Sequence, residues 1–276
     1  MMKLTVSQRG FTLIELVMVI VIMGVVGATL AVFMRAPVDA YVDSGRRAAL
    51  TDLADTTVRR MARDIARALP NSLRTPSTQC VEFIPTRTGG RYRAEPDSGV
   101  AGSQAAAVLD FTVADTSFNM LANNAFLPAE QRIVANDVVV VYNLGIFGAD
   151  AYAGDNSAVV SGVVAGAEST ITIAAKQFPL ASGSNRFHVV PGNEKIVSFA
   201  CSGGKLLRSS DHAYANSCPT SGATVAVLAN NVSACNFVYN SADLQRNSLV
   251  QMTITLTDSS GDSVNLYHEV HVGNTP

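Results

Sequence analysis

Few residues in this chain have a type and spacing suited to chemistry. The first is Glu15, a lone carboxylate inside the apolar run Phe11 to Met34. A carboxylate in such surroundings is costly and calls for a cationic partner, and the nearest source is an amino group. Four cysteines, Cys80, Cys201, Cys218 and Cys235, all lie downstream of that run. In an oxidising compartment they pair. Four cysteines allow three connectivities, and nearness in sequence favours Cys201 with Cys218. None forms a C-x-x-C and no histidine sits at ligand spacing from a pair, which argues against zinc.

The remaining candidates are weaker. His268-Glu269-Val270-His271 lacks the helical H-E-x-x-H spacing, and in a strand residues three apart point to opposite faces. Ser202-Gly203-Gly204-Lys205 matches S-x-x-K but reads as hairpin turn chemistry, without the companion motifs of acylating enzymes. Asp150 and Asp155 sit in an Ala/Gly-rich loop without the spacing of a calcium-binding loop. No nucleophile, base and orienting group can be assembled, so the sequence argues against an enzyme and calls for no cofactor. With 20 basic and 22 acidic residues the chain shows no nucleic-acid footprint in its totals.

These residues must be positioned by a small set of elements. The 24 residues from Phe11 to Met34 would form a helix of about 36 Å, enough to cross a hydrocarbon core of about 30 Å with some tilt. An ordinary secretory signal cut near Ala31 is the competing reading, but its apolar region is normally shorter and free of acids. A plain membrane anchor leaves Glu15 unexplained. Pro37 follows the run and predicts a kink or local break.

From Tyr41 the pattern is amphipathic. Leu50, Leu53, Ala54, Val58, Met61, Ile65 and Leu69 recur at helical spacing, Asp52, Asp55, Arg59, Arg60, Arg63, Asp64 and Arg67 take the other faces, and Pro70 stops the helix. Beyond it the period changes to two. Strands are predicted at 80–85, 108–113, 137–144, 169–174, 186–190, 196–201, 205–209, 237–240, 249–257 and 264–272, with Gly/Ala-rich stretches at 88–107 and 145–168 read as surface loops. Met252, Ile254 and Leu256 share one face of an antiparallel sheet, for which the amphipathic helix is the natural cover. The fold class is therefore α+β: a long N-terminal helix packed on a C-terminal antiparallel β-rich domain, divided as 1–10, 11–34, 35–70 and 71–276.

The N-terminal string Gly10-Phe11-Thr12-Leu13-Ile14-Glu15-Leu16, preceded by a short polar segment with Lys3 and Arg9, resembles the leader of type IV prepilins and type II secretion pseudopilins. The resemblance implies cleavage after Gly10 by a prepilin peptidase, N-methylation of Phe11 and a role for Glu15 in assembly. It implies a bacterial inner-membrane protein, single-pass with its C-terminal domain in the periplasm. From there it would join a pilus or pseudopilus on the cell surface. Its partners would be membrane lipid before assembly, the inner-membrane assembly platform, and major and minor pilins met through the N-terminal helices.

Further segments resemble the MshO-type minor pilins of the mannose-sensitive hemagglutinin (MSHA) system: Tyr41-Val42-Asp43, the helix end Arg67-Ala68-Leu69-Pro70-Asn71-Ser72, and Cys80-Val81-Glu82-Phe83-Ile84-Pro85. To these are added the stretch from Leu228 to Cys235 and Leu266-Tyr267-His268-Glu269-Val270-His271-Val272. J-type minor pseudopilins and a tip adhesin remain the alternatives.

Overall fold

A computed structural model of the chain describes residues 10–96, 107–210, 218–222, 224–239 and 247–276. Among the described residues there is one α-helix, two short 3-10 turns and a β-rich remainder in which every strand pairing is antiparallel. The fold is α+β. Two compact units are present, one ending at Ala49 and the other running from Leu50 to Pro276.

Helix α1 covers Leu13–Ile65. In the first unit its apolar side chains are exposed, and the helix is long and apolar enough to cross a membrane. The predicted local break at Pro37 is absent: the helix runs through it. In the second unit Leu50, Ala54, Val58, Met61 and Ile65 are buried at the expected three- and four-residue spacing. The helix stops at Ile65 rather than at Pro70. The Leu69 amide bonds the Ile84 carbonyl at 2.8 Å and Ala68 pairs with Pro85, so this segment is drawn into sheet-like pairing.

Two sheets meet this helix in one core. The first, ordered β1-β2-β9-β10-β11, contains β1 Arg74–Ser77, β2 Cys80–Phe83, β9 Val197–Ser202, β10 Lys205–Ser210 and β11 Val225–Asn230. The second contains β12 Val232–Tyr239, β13 Asn247–Thr257 and β14 Ser263–Gly273. Met252, Ile254 and Leu256 pack with the helix residues and with Val81, Phe83, Val197 and Phe199. The β9–β10 hairpin turns on Gly203 and Gly204, whose φ values of 57° and 73° are ones glycine adopts without strain.

Between β2 and β9, which are direct neighbours with Phe83 opposite Val197, the chain inserts a third sheet. Its strands are β3 Thr88–Arg91, β4 Asp115–Met120, β5 Val138–Val141, β6 Ser157–Val164, β7 Ser169–Lys176 and β8 Arg186–Val190, in the order β3-β8-β5-β6-β7-β4. The order closes on itself. Tyr92 pairs with Met120, the Leu121 amide bonds the Arg91 carbonyl at 2.9 Å, and the Arg93 amide bonds the Asn119 carbonyl at 2.9 Å. Six antiparallel strands thus make a small barrel filled by Phe118, Met120, Val139, Val141, Ile171, Ile173, Phe187 and Val189.

The barrel corrects the sequence reading in three places. Val108 to Val113 is not a strand: the Asp110 carboxylate accepts from the Thr112 amide at 2.7 Å, a local turn that competes with a ladder. The strand falls instead at β4. The stretches read as loops contain β3 and β6. In β3 the glycines serve close packing, since a Cβ on Gly90 would lie 3.0 Å from the Phe187 ring. Residues 97–106 of the first stretch lie outside the described residues. Strand β5 is uniformly apolar because both its faces are covered, Val139 and Val141 by the barrel core and Val138 and Val140 by Leu69, Ile84 and Ile196.

Candidate functional site

The N-terminal residues singled out above lie together at the start of α1. Gly10, Phe11 and Thr12 precede the first helical turn, and Gly10 and Phe11 are exposed. Thr12 is the N-cap: its carbonyl accepts the Leu16 amide at 3.2 Å, the first intrahelical bond. Its hydroxyl oxygen faces the Glu15 amide at 3.4 Å, while Glu15 Oε2 accepts from the Thr12 amide at 3.0 Å and the Thr12 hydroxyl at 2.9 Å. This reciprocal arrangement is a capping box, in which a threonine and the acid three residues later satisfy each other's exposed backbone donors.

The capping role of Thr12 is absent from the sequence reading, although the T-x-x-E spacing displays it. Both bonds to Thr12 use Oε2. Among the described residues Glu15 Oε1 has no partner, so the carboxylate can start the helix and still offer one oxygen to a cation. The carboxylate also stands where a helix favours negative charge, at the positive end of its dipole.

A family model described as the prokaryotic N-terminal methylation motif matches residues 6–31. The match supports a type IV pilin-like protein. It takes in Gly10, Phe11 and Glu15 together with most of the apolar run, and the motif's family is structural rather than enzymatic. Searches of curated proteins and of solved structures return no match. The motif and the long apolar helix fit an inner-membrane-anchored pilin, processed by prepilin peptidase and assembled with other pilins.

The four cysteines do not pair as nearness in sequence favours. Cys80 joins Cys218 with Cα atoms 6.3 Å apart, and Cys201 joins Cys235 at 6.5 Å, so the expected Cys201–Cys218 bridge is not formed. The reason is the pleat. Cys80 lies opposite Ala200, which puts Cys80 and Cys201 on opposite faces of one sheet. Cys201 faces the core shared with β12, where Cys235 is the neighbour. The two bridges therefore serve different faces.

The weaker candidates take structural roles. On β14, His268 is half-buried while Glu269 and His271 are on the exposed side. Ser202 and Lys205 face each other across the β9–β10 turn. Asp150 accepts the Tyr152 amide at 2.9 Å and Asp155 the Gly148 amide at 3.0 Å, so both carboxylates build the loop they occupy.

The junction between barrel and helix lobe is a feature with no sequence signal. Asn143, buried, donates to the Pro70 carbonyl at 2.7 Å and accepts from the Ala151 amide at 2.9 Å. Asn71, in the left-handed region at φ 58°, donates through Nδ2 to the Asn143 carbonyl at 2.9 Å and through its amide to Asn274 Oδ1 at 3.2 Å. One short segment thereby ties the barrel and the C-terminal strand to the end of the helix. Gly145 is required there, because a Cβ would meet the Asn71 carbonyl at 2.7 Å.

Proposed function

We propose that this chain is a minor pilin of an MSHA-like type IV pilus, a non-enzymatic building block that primes or caps the filament. The observation that carries the proposal is the motif match over residues 6–31, with the Gly10–Phe11 bond exposed ahead of a self-contained helix cap. Prepilin peptidase cuts after Gly10, Phe11 becomes the methylated N-terminus, and the leader is residues 1–10. The apolar helix to Met34 holds the subunit in the inner membrane until it exchanges lipid for neighbouring pilin helices. Glu15 Oε1 then accepts the Phe11 amine of an adjacent subunit, where low dielectric strengthens the attraction and penalises an unpaired charge. The assembly platform of the inner membrane drives that transfer, and the periplasm supplies the oxidising setting for both disulfides.

Mass spectrometry of the mature protein tests this reading. A chain beginning at N-methylated Phe11 is expected, and one beginning between Thr29 and Phe33 overturns it in favour of ordinary secretion. Glu15→Ala and Glu15→Gln are both expected to be processed but to lose crosslinks to other pilins. A second reading, a pilus-tip adhesin, is supported by the inserted barrel, whose surface exposes Phe126 at 86 % and Phe147 at 104 %. It requires saturable surface binding that disappears in a Phe126→Ser/Phe147→Ser double variant. The J-type minor pseudopilin of type II secretion is separated by which system's subunits co-purify with the chain.

A further inference from the structure

The outward face of α1 beyond Leu50, continued by the turn after Ile65, carries a basic stripe that the fold leaves largely without counter-ions. Arg59, Arg63 and Arg67 follow one another every fourth residue, Arg60 flanks them, and all four are exposed. They stand away from the stripe of Leu50, Ala54, Val58, Met61 and Ile65 that enters the core. Within this stretch only Arg59 is neutralised, by Asp55 at 2.6 Å. The other nearby acid, Asp64, is drawn inward. It accepts from Arg208 Nε at 3.0 Å, and Arg208 also holds Glu194 at 2.7 Å. Among the described residues, the side chains of Arg60, Arg63 and Arg67 pair with no carboxylate.

Neighbouring like charges on a helix repel, and the helix dipole favours cations only in its last turn. The dipole accounts for Arg63 but not for the run. The helix itself displays the complementary pattern earlier. Between residues 39 and 55 four aspartates outnumber two arginines, and between 59 and 67 four arginines outnumber one aspartate. A parallel helix of the same kind, displaced along its axis, would set carboxylates against guanidiniums, which bind them in bidentate geometry.

We propose that the Arg60, Arg63 and Arg67 stripe docks on a carboxylate-bearing helix face of a neighbouring pilin subunit. This deepens the reading above and rests on it. Such a contact weakens with salt.

The test uses the full chain in cells, with a photo-crosslinking residue at Thr56, which is exposed on the same face one turn before Arg59 and Arg60. The unaltered stripe is expected to give a protein–protein crosslink to another pilin. A combined Arg60→Glu, Arg63→Glu, Arg67→Glu variant is expected to lose it at least tenfold, while Arg→Lys at the same positions keeps most of it. In membrane extracts the wild-type crosslink is expected to fall several-fold between low and high salt. Crosslinking of the Glu variant at the wild-type level overturns the proposal, as does a crosslink to lipid in place of protein. Mass spectrometry of the same samples keeps the two claims apart. A mature terminus other than Phe11 refutes the pilin reading, whereas correct processing with an unchanged crosslink refutes the stripe alone.

Discussion

The helix lobe has two open sheets, five- and three-stranded, laid around one helix; Cys201–Cys235 joins the two sheets and Cys80–Cys218 ties β2 to the segment ahead of β11. The barrel has no cysteine. Its sheet closes on itself around aromatic rings, with Phe118 and Phe187 edge-to-face at 5.2 Å and Tyr92 bonded through its hydroxyl to the Ser182 backbone. An open sheet leaves unpaired edges and depends on what covers it, whereas a closed one satisfies its backbone internally. The covalent bridges stand in the region whose cover is a single helix. The region that closes its own sheet relies on non-covalent packing and hydrogen bonds.

That contrast can be broken most directly inside the barrel. Phe118→Ala removes a fully buried ring, and truncations of this kind cost about 3–5 kcal/mol. Hydrogen exchange should rise sharply across β4, β7 and β8 while β13 and β14 stay protected. Equal loss of protection in both regions would show a single cooperative unit instead.

The converse experiment is reduction. The Cys201–Cys235 bridge spans 34 residues, for which chain entropy gives about 4 kcal/mol. A Cys201→Ser/Cys235→Ser variant should therefore melt earlier in the helix lobe, with barrel exchange unchanged. If the barrel lost protection first, the bridge would be supporting the barrel rather than the helix lobe.

The smallest effect concerns acid. His188 on β8 is half-buried with its Nε2 unpartnered, and burial, helped by the nearby Arg186 charge, lowers its pKa to about 4. Between the ordinary histidine value of about 6.5 and that lowered value the unfolded chain binds the extra proton, so stability falls as pH drops through the window. The loss is about 3 kcal/mol at most, complete only below pH 4, and absent above pH 7. His188→Gln should flatten urea midpoints followed by tyrosine fluorescence over this range. A slope of the same size in the variant would assign the acid sensitivity to another group.

Local patterns made part of this architecture readable. The apolar run, the three- and four-residue spacing from Leu50 to Ile65 and the alternation of Met252, Ile254 and Leu256 each occupy one continuous stretch, and each appears as an element of the expected type. The barrel is not legible because its closing contact, Tyr92 with Met120, is non-local and the closing strand Thr88–Arg91 contains two glycines. Residues 138–141 carried a true strand signal, but nothing in four valines says that one face belongs to the barrel and the other to the helix lobe. The cysteine pairing failed for a similar reason. Distance along the chain carries no information about which face of a pleat a side chain occupies. At the N-terminus the glycine, the phenylalanine and the acid are legible as a set, and the threonine that binds the acid stands in the same string at the T-x-x-E spacing of a capping box.

The position of the barrel has a consequence for exchange of parts. Its chain enters after Pro85 and leaves at Pro191, with the Arg87 amide bonded to the Val189 carbonyl at 2.8 Å, and the strands on either side are already register partners. Antiparallel neighbours of this kind have Cα atoms about 5 Å apart, a gap that a two-residue turn or another small domain with adjacent ends can bridge. The barrel is thus a cassette. A head of different size can be spliced at this hairpin while the strand order of the host sheet stays as it is.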